Sequence, residues 1–108
     1  MKRGAIVTVA AAGDYGKPRP AVVVQSDFLR GTDSVLVALI TGTLRDAPIF
    51  RLTLEPSPVN GLKVKCQVMA DKIIAMPRAK CGKIIGRLDN GSVIALNHML
   101  SVMLGLAD

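Results

Sequence analysis

The side chain in this sequence best suited to chemistry is an arginine held between two prolines, Pro18-Arg19-Pro20. A guanidinium is planar, permanently charged and able to grip two phosphate oxygens at once. Proline on both sides restricts the backbone that aims it. The plain alternative is a loop arginine bridged to a nearby carboxylate, an arrangement that contributes little. Thr41 closes the apolar run 35–40, where its hydroxyl could reach a phosphate. An ordinary β-branched strand residue fits that position as well. Two acids compete as proton acceptor. Asp14 lies five residues before Arg19, and Asp71 stands among cations that favour its ionised form. Each also reads as a solvated acid or an ion-pair partner. His98 is the only imidazole, and it falls one residue off the apolar face of a C-terminal segment, so it reads as structural or surface.

Charge is unevenly placed. The formal net charge is +6, and residues 63–87 hold seven basic side chains (Lys63, Lys65, Lys72, Arg78, Lys80, Lys83, Arg87) against Asp71 alone. Such a segment attracts nucleic acid or an acidic protein partner; a lysine-rich strand edge kept soluble is the other reading. Cys66 and Cys81 are far apart and belong to no CxxC pair. With one histidine they do not make up the about four ligands of a structural zinc, and no metal or other cofactor is expected. A reducing cytoplasm argues against a disulfide between them. No apolar run approaches the roughly 20 residues of a membrane span. The start, Met1-Lys2-Arg3-Gly4, does not lead into the apolar core of a secretory signal. A cytoplasmic protein without membrane contact is expected.

These residues need a scaffold. The chain has 108 residues, half of them hydrophobic, which suits one domain spanning 1–108. Residues 5–10 are rich in Ile and Val and alternate, so they predict a strand. Residues 11–18 hold two glycines and a proline and predict a loop. Short buried strands are expected at 21–25 and 35–40, separated by a polar loop at 26–34. Residues 49–54 alternate and are stopped by Glu55-Pro56-Ser57-Pro58. Asn60-Gly61 is a hairpin signal. Strands follow at 63–69 and 72–76. The period then changes: Val93, Leu96, Leu100 and Met103 recur every three to four residues, predicting a helix over 90–104. Asp89 is its N-cap and Gly105 its stop. Short strands followed by one helix suggest a small curled sheet or barrel.

The order of these features resembles one known family. Gly13-Asp14-Tyr15-Gly16-Lys17-Pro18-Arg19-Pro20 followed by Ala21-Val22-Val23-Val24-Gln25 is similar to the first loop and second strand of MazF/PemK-type toxins. Arg3-Gly4-Ala5-Ile6-Val7 looks like that family's opening strand, and 37–41 like the strand ending in a functional threonine. The stretch 68–73 looks like its acid-containing strand, with Lys72 where glutamine is common. The terminal helix also fits, so the resemblance covers essentially the whole chain.

The resemblance implies a mainly β fold with a C-terminal helix, an SH3-like small barrel. It implies a homodimer that cuts single-stranded RNA without a metal, and a cognate acidic antitoxin. RNA carries its own nucleophile, so the enzyme need only accept a proton, stabilise the phosphorane and assist the leaving oxygen. Arg19 and Thr41 are then catalytic, with Asp14 or Asp71 as base. Lys17, Tyr15, Thr43, Lys72 and Arg78 are candidates for RNA contact. Gyrase poisons of the CcdB type share the fold but act through a Trp-Gly-Ile tail; this chain has no tryptophan and ends Leu104-Gly105-Leu106-Ala107-Asp108. A non-catalytic nucleic-acid-binding barrel is the remaining class.

Overall fold

The computed structural model describes residues 1–10 and 17–107. Six strands form one antiparallel sheet: β1 Ala5–Val9, β2 Arg19–Val23, β3 Ser34–Thr41, β4 Arg51–Leu54, β5 Cys66–Pro77 and β6 Cys81–Arg87. A 3-10 turn, Arg78–Lys80, joins β5 to β6, and helix α1 spans Asn90–Met103. The order across the sheet is β4-β5-β3-β2-β1-β6.

The central strands are apolar almost throughout because both faces of the sheet are covered. On one face Ile6, Val22 and Ala38 join Leu54, Val68, Leu96 and Leu100 in a core that includes the helix. On the other, Val7, Val9, Ala21, Val23, Val35, Val37 and Met76 form a second core. Asp89 caps α1, its Oδ1 accepting from Ser92 N at 2.7 Å. The helix ends in a Schellman motif: Leu106 N donates to Ser101 O and Gly105 N to Val102 O, with Gly105 at φ 71°. Helix and stop therefore fall where the period places them.

The mainly β fold with its terminal helix agrees with expectation, but the barrel is not closed by strand pairing. The sheet edges are β4 and β6. The connection 55–65 crosses between them, and its Val59 O accepts from Arg87 N of β6 at 3.0 Å. Asn60-Gly61 is thus no two-residue hairpin. Asn60 is buried, accepting from Ser57 N and Leu62 N and donating to Glu55 O. Gly61 packs on the backbone of Ile85.

Other boundaries moved for the same reason, that pairing decides them. The expected strands 63–69 and 72–76 are one strand, and it starts only at Cys66, where Leu54 supplies a partner. Ile49 and Phe50 lie in a turn, so β4 starts at Arg51. β2 starts two residues early because Pro20 and Arg19 lie opposite Thr8 and Val9 of β1. Arg19 therefore belongs to a strand and not to a loop. β5 carries a bulge: Ala38 faces Ile73 while Ile40 faces Val68, leaving residues 69–72 as an excursion. Strand β6 had no counterpart in the sequence pattern.

The cap makes a pH-dependent contribution. Hydrogen bonds from the Ser92 backbone and hydroxyl hold the Asp89 carboxyl below its ordinary range. A depressed folded-state value means stabilisation present above the unfolded value, about pH 4, and lost as pH falls through the folded one. Asp89→Ala is expected to lower the thermal midpoint at pH 6–7, with the gap to wild type narrowing on acidification toward pH 3. A gap that does not change with pH would refute the charge-assisted cap.

Candidate functional site

Two strands bring Arg19 and Thr41 together. β2 and β3 run antiparallel with Ala21 opposite Leu39. Beyond that pair, Arg19 and Thr41 lie at the same end of the two strands. Both line a cavity of about 320 Å³. Its other walls come from Thr8 of β1, the flanking prolines Pro18 and Pro20, Ile85 of β6, and Leu62, Lys63 and Val64 of the 55–65 connection. Cys66 also lines it.

The charges and polar groups there favour an anion. Among the described residues the lining holds two cations, Arg19 and Lys63, two hydroxyls, Thr8 and Thr41, and no carboxylate. Thr41 Oγ1 accepts from Thr43 N at 3.1 Å, which leaves the hydroxyl proton to donate. Thr8 Oγ1 accepts from Lys83 N at 3.0 Å. A Cβ on Gly82 would stand 2.7 Å from that oxygen, so any other residue there would push the Thr8 hydroxyl from this position. Burial pushes the Cys66 thiol up, away from thiolate chemistry. Among the described residues no group of three His, Cys, Asp or Glu could hold a metal ion.

A hydrogen-bonded net lies behind Thr41. Gln67 is buried, and its β5 position pairs with Thr41 on one side and Thr53 on the other. Its Oε1 accepts from Arg45 N and Arg51 Nη1, each at 3.0 Å. Its Nε2 donates to Arg45 O at 3.0 Å and Thr53 Oγ1 at 3.1 Å. Arg51 Nη1 also donates to Thr43 O at 2.9 Å.

The remaining expected residues are dispersed. Lys17 is exposed beside Pro18, next to the cavity, and Thr43 is exposed one residue beyond the lining Gly42. Asp71 and Lys72 are exposed on the β5 excursion and are not among the lining residues. Arg78 lies elsewhere: its Nε and Nη2 donate to the carbonyl and hydroxyl of Thr32, and it borders a different cavity with Lys2, Asp27 and Arg30. His98 is exposed on α1 and does not reach the site. Asp14 and Tyr15 lie outside the described residues. Lys63 was legible only as part of the basic segment. Thr8, the sole polar residue in β1, was a signal that the strand pattern by itself did not interpret.

An arginine, a lysine and a strand-end hydroxyl converging on a small cavity can hold a phosphodiester and stabilise added negative charge on it. Over 108 residues, 99% of each chain, the protein is 40% identical to a probable endoribonuclease MazF of Mycolicibacterium smegmatis. Its fold is similar to that of an endoribonuclease solved in complex with its cognate antitoxin from a mycobacterial species. That match has a TM-score of 0.83 and 24% identity, covering 100% of this chain and 98% of the other. It is also similar to the Mycobacterium tuberculosis toxin MazF-mt6, with a TM-score of 0.77 and 25% identity over 93% of this chain and 96% of that one. The model of the PemK-like, MazF-like toxins matches residues 2–104. With Arg19 and Thr41 at one cavity on that fold, the chain belongs to the PemK-like, MazF-like toxin family of type II toxin–antitoxin systems.

Proposed function

We propose that this protein is a metal-independent endoribonuclease toxin that cuts single-stranded RNA, mRNA above all, at the cavity shared by Arg19 and Thr41. The observation that carries this reading is that Arg19 and Thr41, from neighbouring strands, line one cavity without a carboxylate among its described residues. The 2′-OH attacks the adjacent phosphorus, the P–O5′ bond breaks, and the products are a 2′,3′-cyclic phosphate and a 5′-OH. Arg19 grips the non-bridging oxygens as the phosphorane gains charge, and Thr41 donates to one of them. Lys63 adds positive charge at the entrance. A carboxylate, Asp14 or Asp71, accepts the 2′-OH proton, and the departing O5′ takes up a proton from water to give the 5′-OH. Lys17, Tyr15, Thr43 and Lys72 are assigned to RNA contact; Arg78, occupied with Thr32, serves the 26–34 loop first.

The relative named a probable endoribonuclease and the neighbour solved in complex with its cognate antitoxin support the reading. The protein acts as a single-domain protomer of a homodimer in the cytoplasm, and a cognate acidic antitoxin segment neutralises it by setting carboxylates where phosphates bind.

Incubation with a long RNA in excess EDTA tests this. Cleavage is expected to continue at a rate close to that without chelator, and end-group analysis is expected to find cyclic phosphate and 5′-OH. Strict dependence on magnesium, or products with 3′-OH ends, would overturn the mechanism. Binding of RNA with no cleavage would favour the non-catalytic barrel.

A further inference from the structure

Gln67 is a buried polar residue in a strand segment, 66–70, whose other buried members are apolar. Burying a primary amide is unfavourable unless its donors and acceptors are all engaged. Here they are. Two donors and two acceptor sites of the one side chain meet Arg45 N, Arg45 O, Thr53 Oγ1 and Arg51 Nη1. The pair of bonds to Arg45 imitates a backbone bridge, so segment 43–45 is held to β5 as an additional strand would hold it. Arg51 reaches across from β4 and pins Thr43 O with the same Nη1 that meets Gln67. Thr43 N in turn donates to Thr41 Oγ1.

We infer that Gln67, with Arg51 as its arm, is a positioning residue that fixes the rotamer of the Thr41 hydroxyl at the phosphate site. The inference rests on the reading of Thr41 as part of the RNA-cleaving site and adds how its hydroxyl is aimed. Gln67 touches no substrate. Its four bonds hold the turn 41–45, and the Thr43 N–H of that turn sets the Thr41 Oγ1 direction. Without the amide, Thr41 remains in place at the end of β3, but its side chain loses the geometry that selects one staggered position. Loss of alignment at a reacting centre reduces rate while leaving ground-state binding largely alone.

The test combines kinetics with a direct measure of the Thr41 rotamer. Variants Gln67→Leu, Gln67→Glu, Arg51→Met, Thr41→Val and the double variant Thr41→Val/Gln67→Leu are compared on one RNA oligonucleotide. Scalar couplings to the Thr41 methyl carbon report its χ1 in each variant that keeps the threonine. Gln67→Leu is expected to lower kcat by roughly 10–100-fold with KM within about twofold, and to turn a single χ1 into an average. Gln67→Glu, which keeps both acceptor bonds, is expected to recover part of the rate. In the Thr41→Val background Gln67→Leu is expected to cost little more. If Gln67→Leu does not fold, Arg51→Met, which leaves the bonds to Arg45 and Thr53, carries the same two readouts. An unchanged χ1, an effect confined to KM, or an equal loss in both backgrounds would overturn the inference alone. Wild-type cleavage by Thr41→Val would overturn the assignment of Thr41 and the inference with it.

Discussion

Arg19→Ala is expected to lower the cleavage rate by about 10²–10³-fold, or roughly 3–4 kcal/mol of transition-state stabilisation, while the protein stays folded. The magnitude follows from where charge develops. The phosphorane carries more negative charge on its non-bridging oxygens than the ground-state diester does, so a guanidinium there favours the transition state over bound substrate. Only one other cation, Lys63, lines the cavity among the described residues, and it cannot supply a two-pronged grip. The fold is expected to survive because the Arg19 side chain is exposed and its strand position is set by the backbone pairing with Val9. Arg19→Lys is expected to recover a fraction of the loss, keeping charge without planar geometry. Single-turnover cleavage alongside thermal unfolding checks both halves. Cleavage within a fewfold of wild type by folded Arg19→Ala protein would remove this residue from the mechanism.

Gly61→Ala is expected to destabilise the fold by about 3–4 kcal/mol, a large share of the 5–15 kcal/mol typical of a small domain. Two effects combine. Gly61 has φ 66°, a left-handed conformation costing an L-residue about 1–2 kcal/mol. A Cβ there would also stand 2.0 Å from Ile85 O and 2.9 Å from Ile85 C. Those are backbone atoms of β6, unable to swing aside, so overpacking adds about 1–3 kcal/mol. Gly31→Ala separates the terms: its φ is 73°, yet nothing lies within 4 Å of the new Cβ. It is expected to cost only the backbone share. Urea unfolding midpoints at constant slope give both values. Equal losses for the two variants would show that the contact with β6 contributes nothing. What folded Gly61→Ala protein remains is expected to cleave poorly, since Leu62 and Lys63 ride on the displaced connection.

That contact also marks the limit of the sequence pattern. The amino-acid order by itself determined the features written within a few residues of each other. The 3.6-residue period, Asp89 and Gly105 define α1 and both its ends, since capping and the Schellman motif are local hydrogen bonds. The apolar runs of β1 and β3 announce buried strands. Arg19 between prolines and Thr41 at a strand end were legible as separate groups suited to a phosphate.

Tertiary structure alone decided which of them meet. The strand order β3-β2-β1 brings Arg19 and Thr41 to one cavity, and antiparallel pairing drew Arg19 itself into β2 opposite Val9. Residues 81–87, with two glycines and two cations, carry no strand period; they are a strand because β1 offers an unpaired edge. Gly86 is required by a neighbour distant in sequence, the backbone of Asn60, and Gly82 lies against the Thr8 hydroxyl. Asn60-Gly61, by local pattern a tight hairpin, became the closure of the sheet against β6. Arg78 and Lys63 look alike as members of one basic segment, yet one is bonded to Thr32 and the other faces the cavity. Local pattern encodes period, caps and turn preference. Register and edge closure depend on contacts between residues tens of positions apart, and those are settled only when the sheet assembles.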